Sequence, residues 1–130
     1  MQLAKKIAIV TGAGNGFGKG IAQAYAAEGA QVILADLNLK SAEAVAKDLG
    51  AGASAFQCDV ADGIQVSSLV NHCVSTFGVP DIVVNNAGTT HPNGSLLEVS
   101  EATFDRIFAV NVKSIFHMTR AVVPLMRQRK

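Results

Sequence analysis

The sequence has 130 residues, of which 49% are hydrophobic and 16% are charged, so it is long enough for one domain with a core and is not a disordered chain. Its formal net charge of +1 gives no electrostatic basis for binding nucleic acid or an anionic membrane. No apolar run is long enough for a signal peptide or a transmembrane segment, so we expect a cytoplasmic protein.

Short apolar runs alternate with segments of helical spacing through the first two thirds of the chain. Unbroken apolar runs, such as residues 7–10, are typical of parallel strands that are buried on both faces. Glycines after the helical segments mark their ends. We predict strands at 6–10, 31–35, 54–58 and 81–84, and helices at 16–28, 41–49 and 63–77.

From Ser100 to the end of the sequence, apolar residues recur at helical spacing and cover more than one face. Ser100 is predicted to be the N-cap of this helix. One helix of roughly 30 residues would be long for a small domain. We therefore expect a bend near Asn111, and Pro124 marks a second kink or a boundary.

This alternation predicts an α/β fold, a Rossmann-type doubly wound parallel sheet with the strand order 3-2-1-4. Ligands of such sheets bind beyond the carboxyl ends of the strands, at the crevice between strands 1 and 4. Four polar or glycine-rich segments follow the four predicted strands: residues 12–18, Asp36, Asp59 and Asn86. We expect them to meet at one edge of the sheet.

The glycines that follow the first strand predict a phosphate-binding loop at the N-terminus of a helix. A Walker A loop would need glycine at position 13 and a hydroxyl after Lys19, but these residues are Ala13 and Gly20. The pattern GxGxxG fails because Phe17 stands where its third glycine should be. The pattern that fits is TGxxxGxG at residues 11–18, so an NTPase is disfavoured.

This motif resembles the glycine loop of the short-chain dehydrogenase/reductase family. Residues 85–88, NNAG, and the asparagine of residues 109–112, AVNV, resemble two further motifs of that family. The resemblance covers residues 1–130 and implies one dinucleotide-binding domain, the N-terminal part of a longer domain that continues with more strands. It also implies an NAD-dependent oxidoreductase that interconverts a secondary alcohol and a ketone, similar to 3-oxoacyl reductases or to sugar and polyol dehydrogenases.

The resemblance assigns each motif a role in cofactor binding. Gly12 permits the turn off the strand, Gly16 lets the pyrophosphate approach, and Gly18 lets the helix pack on the sheet. Asp59 would accept from the adenine amino group, and the NNAG segment would admit the ribose. The expected cofactor-binding residues are Gly12, Asn15, Gly16, Phe17, Gly18, Asp36, Leu37, Asp59, Val60, Asn86, Ala87 and Gly88.

Asp36, at the end of the second strand, indicates which dinucleotide is bound. Its carboxylate can accept both hydroxyls of the adenosine ribose and would repel a 2′-phosphate. Relatives that prefer NADP usually place a cation near this acid, but Asn15 and Leu37 are neutral. We therefore expect NAD(H) to be preferred over NADP(H). The alternative role of Asp36 is to cap the next helix.

Asn111 matches the asparagine of the family's catalytic tetrad, which implies a catalytic role in a proton relay. The alternative is a buried structural asparagine. The rest of the tetrad, a serine and a Tyr-x-x-x-Lys pair, is not found, because the single tyrosine, Tyr25, lies in the first predicted helix. The 130 residues alone are therefore expected to be inactive, and the alternative function is a non-catalytic dinucleotide-binding or interaction fragment.

Other residues give weaker indications. Cys58 and Cys73 are expected to be free buried thiols, and the histidine spacings match no metal site. His91 follows NNAG, where relatives contact substrate. The fourth strand would be left as an open edge, and the apolar faces of the last helix predict a homo-oligomer.

Overall fold

In a computed structural model that describes residues 1–129, four parallel strands form one sheet. The end of the predicted terminal helix, Lys130, lies outside the described residues. The observed order, β3-β2-β1-β4, confirms the predicted 3-2-1-4 arrangement. The strands are β1 (Ile7–Thr11), β2 (Gln31–Asp36), β3 (Ala53–Gln57) and β4 (Ile82–Val84).

Helices connect the strands and extend beyond the last one. No helix within residues 1–129 combines the length and apolar character needed to cross a membrane. The helices are α1 (Gly16–Ala27), α2 (Leu39–Leu49), α3 (Gly63–Thr76), α4 (Glu101–Phe108) and α5 (Ser114–Gln128), with a 3-10 turn at Leu96–Glu98 and a π-helical segment at Ala109–Lys113.

The predicted element bounds differ from the observed ones by one or two residues. The largest difference is at α2, which begins at Leu39 rather than at Ser41. Its N-cap is Asn38, whose side-chain oxygen accepts the Ser41 N–H at 3.1 Å. The first turn of α2 is therefore already helical before the predicted start.

The regular α-helical pattern of the terminal segment is interrupted where Asn111 lies, at the position where a bend is expected. Residues 109–113 adopt π-helical hydrogen bonding between α4 and α5, a local widening that often marks a functional segment. Ser100 is the N-cap of α4, as predicted, and its hydroxyl accepts the Thr103 N–H at 3.1 Å. Pro124 does not end α5, which continues to Gln128.

The sheet has a hydrophobic cluster on each face, because successive side chains of a strand point to opposite sides. Ile9 and Ile33 belong to the cluster that includes residues of α3 and α5. Val10 and Leu34 belong to the cluster that includes residues of α1 and α2. These two central strands are thus buried on both faces, and their carboxyl ends are held in place.

The α4 side of the molecule is much less buried. No residue of α4 is buried, whereas β1 has four buried residues of five. β4 lies at the end of the strand order, so among the described residues it pairs with β1 alone. The large exposed apolar side chains of this side are Phe104, Phe108, Val112, Ile115 and Phe116.

Candidate functional site

A cleft of about 430 Å³ opens at the carboxyl ends of the strands. It collects every predicted cofactor-binding residue except Gly18, which is buried beneath it. Cys58, Thr89, Arg106 and Val110 also line it. The predicted residues along its wall are Gly12, Asn15, Gly16, Phe17, Asp36, Leu37, Asp59, Val60, Asn86, Ala87 and Gly88.

Three glycines shape the loop between β1 and α1. Gly12 and Gly16 have φ angles of +63° and +55°, which are left-handed values that favour glycine. A Cβ on Gly18 would collide with the carbonyl oxygen of Gly12, so only glycine lets α1 lie this close to the loop. The backbone around Gly16 is open, since a Cβ there would meet nothing within 4 Å.

The N-terminus of α1 faces this open loop. Its N-cap, Asn15, makes no capping hydrogen bond through its side chain. The first amides of a helix need partners and carry partial positive charge, so this end can receive an anionic group. Phe17 is 88% exposed beside it.

Asp36 is fixed on the opposite side of the glycine loop. Its Oδ2 accepts the Gly14 N–H at 2.8 Å, and its Oδ1 accepts the Asn38 N–H at 2.9 Å. A carboxylate oxygen can accept two hydrogen bonds, so each oxygen keeps room for a further donor. A Cβ on Gly14 would lie 2.9 Å from Asp36 Oδ2, so this glycine also brings the loop close to the carboxylate.

Thr11 joins the glycine loop to the NNAG segment. Its side chain is buried, and its hydroxyl accepts the N–H groups of Asn86 and Ala87, each at 3.0 Å, while it donates to the Val84 carbonyl at 3.3 Å. The side-chain Nδ2 of Asn86 donates to the carbonyl oxygens of Thr11 and Gly12, at 3.1 and 3.3 Å. The ends of β1 and β4 are therefore locked together at the bottom of the cleft.

Asp59 is ionised and held by several partners. Partial burial raises the pKa of its carboxyl, but hydrogen bonds from Arg106 and from the Ala61 N–H, together with the Arg106 charge, hold that pKa below its usual value. Arg106 binds in a bidentate manner, with Nη1 3.1 Å from Oδ2 and Nη2 3.2 Å from Oδ1. Val60, beside it, is buried and supplies an apolar wall.

Asn111 is satisfied by a single loop residue. Its Oδ1 accepts the Thr89 N–H and its Nδ2 donates to the Thr89 carbonyl, both at 2.8 Å. A Cβ on Gly88 would lie 3.4 Å from Asn111 Oδ1. The asparagine is exposed, so it is not the buried residue that the structural alternative assumed. Its hydrogen bonds join the π-helical segment to the segment that follows NNAG.

Cys58 lines the cleft, but its thiol stays protonated at neutral pH. Burial, followed by the negative charges of Asp59 and Asp62, raises the pKa of its thiol to about 12. Cys58 and Cys73 are both free and buried, as predicted. Within residues 1–129 no group of three or more acidic, histidine or cysteine side chains is arranged to hold a metal.

Two other predicted residues lie outside the cleft. His91 is in the loop after NNAG, with Nδ1 2.8 Å from the Pro92 carbonyl oxygen, and it does not line the cleft wall. Tyr25, in α1, is partly buried and packs against the hydrophobic cluster that contains Val10, away from the cleft.

Sequence reasoning missed Arg106, Thr11 and Gly14 as builders of this site. Thr11 and Gly14 belong to the glycine motif, but their contacts lie far along the chain, at residues 86 and 36. Arg106 could have been sought as the partner of Asp59, because a partly buried carboxylate needs a cation or several donors. Nothing in the spacing of residues 59 and 106 singles out that arginine.

Comparison with known proteins identifies the same family that the sequence motifs indicate, over almost the whole chain. The family model described as short chain dehydrogenase matches residues 6–130. Sorbitol dehydrogenase of Cereibacter sphaeroides is 37% identical over 126 residues, which are 97% of this chain and 49% of that protein. Galactitol 2-dehydrogenase of Agrobacterium fabrum is 39% identical over 129 residues, which are 99% of this chain and 50% of that protein.

A solved structure is similar in both fold and sequence. The 3-ketoacyl-(acyl-carrier-protein) reductase from Brucella melitensis, complexed with NADH, matches with a TM-score of 0.95 and 39% identity. The match covers 98% of this chain and 52% of the reductase. The chain thus spans about half the length of the proteins that it matches.

Proposed function

We propose, since the chain belongs to the short chain dehydrogenase family, that it forms the cofactor-binding part of an NAD(H)-dependent oxidoreductase. The reaction would interconvert a secondary alcohol and a ketone by hydride transfer. The observation that carries this proposal is the convergence of the glycine loop, Asp36, Asp59 and the NNAG segment on one cleft. That a similar reductase is complexed with NADH supports a nicotinamide dinucleotide as the ligand.

The two ends of the cleft suit the parts of a dinucleotide. The open backbone at Gly16 and the N-terminus of α1 would receive the pyrophosphate. Asp36 would accept the ribose hydroxyls, with its carboxylate already oriented by two backbone amides. Asp59 and Val60 would enclose the adenine. Ala87 and Gly88 would lie beside the second ribose, because neither has a side chain large enough to fill the space.

The charges around Asp36 favour NAD(H) over NADP(H). A 2′-phosphate about 4 Å from this carboxylate would cost on the order of 4 kcal/mol per unit-charge pair at an effective dielectric of about 20. Arg106 is the one basic residue among those described that line the cleft, and it is paired with Asp59. No cation of the cleft wall is therefore left to offset the repulsion.

We propose that Asn111 contributes to the reaction by positioning the cleft wall. Its two hydrogen bonds fix the Thr89 backbone next to the NNAG segment. Sugar alcohols and 3-ketoacyl thioesters are the substrate classes that the names of the similar proteins suggest. We also propose that the exposed apolar side chains of α4 and α5 associate with a second copy of the chain.

A second candidate is a non-catalytic dinucleotide-binding module. It is favoured by one observation: no tyrosine is found among the described residues that line the cleft. Turnover with sorbitol, galactitol and a 3-ketoacyl thioester is measured beside binding. Binding without turnover is expected of these 130 residues whether they act as a module or as the cofactor-binding part of a longer enzyme, whereas turnover would contradict the non-catalytic module.

The cofactor assignment is tested by titrating the chain with NADH and NADPH while the fluorescence of the reduced nicotinamide is followed. We expect NADH to bind at least tenfold more tightly. Asp36→Asn removes the charge but keeps one side-chain oxygen as an acceptor, so the preference should shrink by tenfold or more. Asp48→Asn, which removes an exposed α2 carboxylate outside the cleft wall, is the matched control and should leave the preference unchanged.

The result that would contradict the assignment is an Asp36→Asn protein with the same preference as the unmodified chain. Failure of the chain to bind either dinucleotide, with its circular dichroism spectrum intact, would contradict the proposed function as a whole.

A further inference from the structure

Arg106 is a charged residue of the cleft to which none of the family motifs assigns a role. It projects from the last turn of α4 and reaches a carboxylate 47 residues away in sequence, in the segment after β3. Both its nitrogens engage Asp59, at 3.1 and 3.2 Å. The planar guanidinium holds both carboxylate oxygens at once, which a lysine could not do.

The hydrogen bonds around Asp59 leave its two oxygens unequal. Oδ1 accepts two donors, the Ala61 N–H at 3.0 Å and Arg106 Nη2 at 3.2 Å. Oδ2 accepts Arg106 Nη1 at 3.1 Å. Since a carboxylate oxygen has room for about two hydrogen bonds, Oδ1 is filled and Oδ2 retains an acceptor position.

The backbone of Asp59 is fixed as well. Its N–H donates to Gln65 Oε1 at 2.8 Å, and Gln65 Nε2 donates to Asp62 Oδ2 at 3.2 Å. The position of Asp59 is therefore set by α3, while the orientation of its carboxylate is set by Arg106. No residue of α4 is buried, so packing does little to hold this helix. The ion pair between Arg106 and Asp59 therefore also helps to keep α4 beside the cleft.

We propose that Arg106 is a positioning residue for recognition of the cofactor's base. It presents Asp59 Oδ2, in its ionised form, to the exocyclic amino group of adenine. This inference rests on the proposed dinucleotide function. Arg106 acts through Asp59, so it selects the base rather than strengthening the binding of every dinucleotide.

The test compares NADH with the reduced nicotinamide hypoxanthine dinucleotide, in which a carbonyl oxygen replaces the amino group. That oxygen would face the Asp59 carboxylate and could not donate to it. A hydrogen bond to a charged group corresponds to a preference of roughly 10- to 100-fold, so we expect the full chain to bind NADH at least about tenfold more tightly than the hypoxanthine analogue. Both dissociation constants are measured by nicotinamide fluorescence.

In Arg106→Gln the ratio of the two dissociation constants should fall below about threefold, since Asp59 is no longer oriented. Arg106→Lys keeps the charge but offers one donor group. Its ratio of dissociation constants should therefore lie between that of Arg106→Gln and that of the unmodified chain. Arg120→Gln is the matched control. It removes an α5 arginine that lies 5.4 Å from the Phe116 ring and is not part of the cleft wall, so its ratio should equal that of the unmodified chain.

Circular dichroism and melting curves establish that each variant is folded before it is titrated. If Arg106→Gln weakens both dinucleotides equally and keeps the ratio, Arg106 is only structural and the inference is overturned. Equal binding of both dinucleotides by the unmodified chain overturns it too. If neither dinucleotide binds to the folded, unmodified chain, the proposed function itself is wrong.

Discussion

The two sides of the cleft are built by different kinds of contact. The glycine-loop side, residues 11–18 with Asp36, consists of backbone packed against a buried core, with Thr11 2% exposed at its base. The helical side, residues 101–113, has one buried residue, Val110, and α4 itself has none. Apart from Val110, which belongs to the hydrophobic cluster that contains Ile9, its contacts with the rest of the cleft are polar: Arg106 with Asp59, and Asn111 with Thr89.

This difference indicates which part of the site is rigid before a ligand binds. On the glycine-loop side, the donors are main-chain amides, and two of these amides orient the Asp36 carboxylate. On the helical side, a few exposed hydrogen bonds hold a helix whose apolar residues face solvent. We therefore expect glycine substitutions on the first side to affect folding, and substitutions on the second to affect mainly local order and selectivity.

The largest effect is expected at Gly18. Gly18→Ala places a methyl group against the Gly12 carbonyl oxygen and should lower the free energy of unfolding by more than about 3 kcal/mol, because neither backbone can yield without distorting the loop. Gly20→Ala is the matched control in the same helix. A Cβ there meets nothing within 4 Å, so the helix should gain about 0.5–1 kcal/mol. Urea denaturation measures both, and equal stabilities would contradict the packing argument.

A smaller and more local effect is expected at Asn111. Asn111→Ala removes two hydrogen bonds to the Thr89 backbone and should cost about 1–2 kcal/mol. Hydrogen exchange of the Thr89 amide should accelerate about tenfold or more, while amides of β1 should exchange as before.

Asn93→Ala, in the exposed loop that follows Thr89, serves as the control for Asn111→Ala and should not change exchange at Thr89. If exchange at Thr89 is the same in Asn111→Ala as in the unmodified chain, the asparagine does not hold the loop.

The smallest effect is the pH dependence of the Asp59–Arg106 pair. Because the pKa of Asp59 is lowered in the folded chain, its stabilising contribution is present above the unfolded pKa of about 3.9 and is lost as the pH falls through the folded value. The side chains are 25% and 46% exposed, so the pair should contribute about 0.2–1 kcal/mol.

Arg106→Gln should therefore be less stable than the unmodified chain at pH 7, and the difference should shrink as the pH approaches 2.5. Urea midpoints at the two pH values measure this, with Arg120→Gln as the control. A stability difference of the same size at both pH values would show that the arginine stabilises α4 by packing and not through the carboxylate.

The same comparison explains what could be predicted from the sequence. The elements and the interruption of the terminal helix at Asn111 could be predicted because they depend on local patterns: apolar runs, helical spacing and obligatory glycines. The strand order and the convergence of the glycine loop with Asp36 then follow from the right-handed crossovers of a parallel sheet. Gly18 is an example. A glycine at a fixed position of a motif indicates that two backbone segments lie close together, here α1 and the loop at Gly12.

The contacts that were missed depend on long-range geometry. Arg106 contacts Asp59 only because the crossovers place α4 beside the end of β3. The sequence around an exposed arginine does not indicate which carboxylate it will bind. The start of α2 differs from its prediction for a local reason. Asn38 is the N-cap, so the helix begins at Leu39, two residues before the predicted start at Ser41.

The central claim, that the convergent cleft binds a nicotinamide dinucleotide, is tested most directly by NMR titration of the isotope-labelled chain with NADH. We predict saturable shifts of the backbone amides in residues 12–18, at Asp36, at Asp59 and in residues 86–89, with little change in the outer half of α2. Absence of shifts in the glycine loop at saturating NADH, or shifts confined to another surface, would contradict the account.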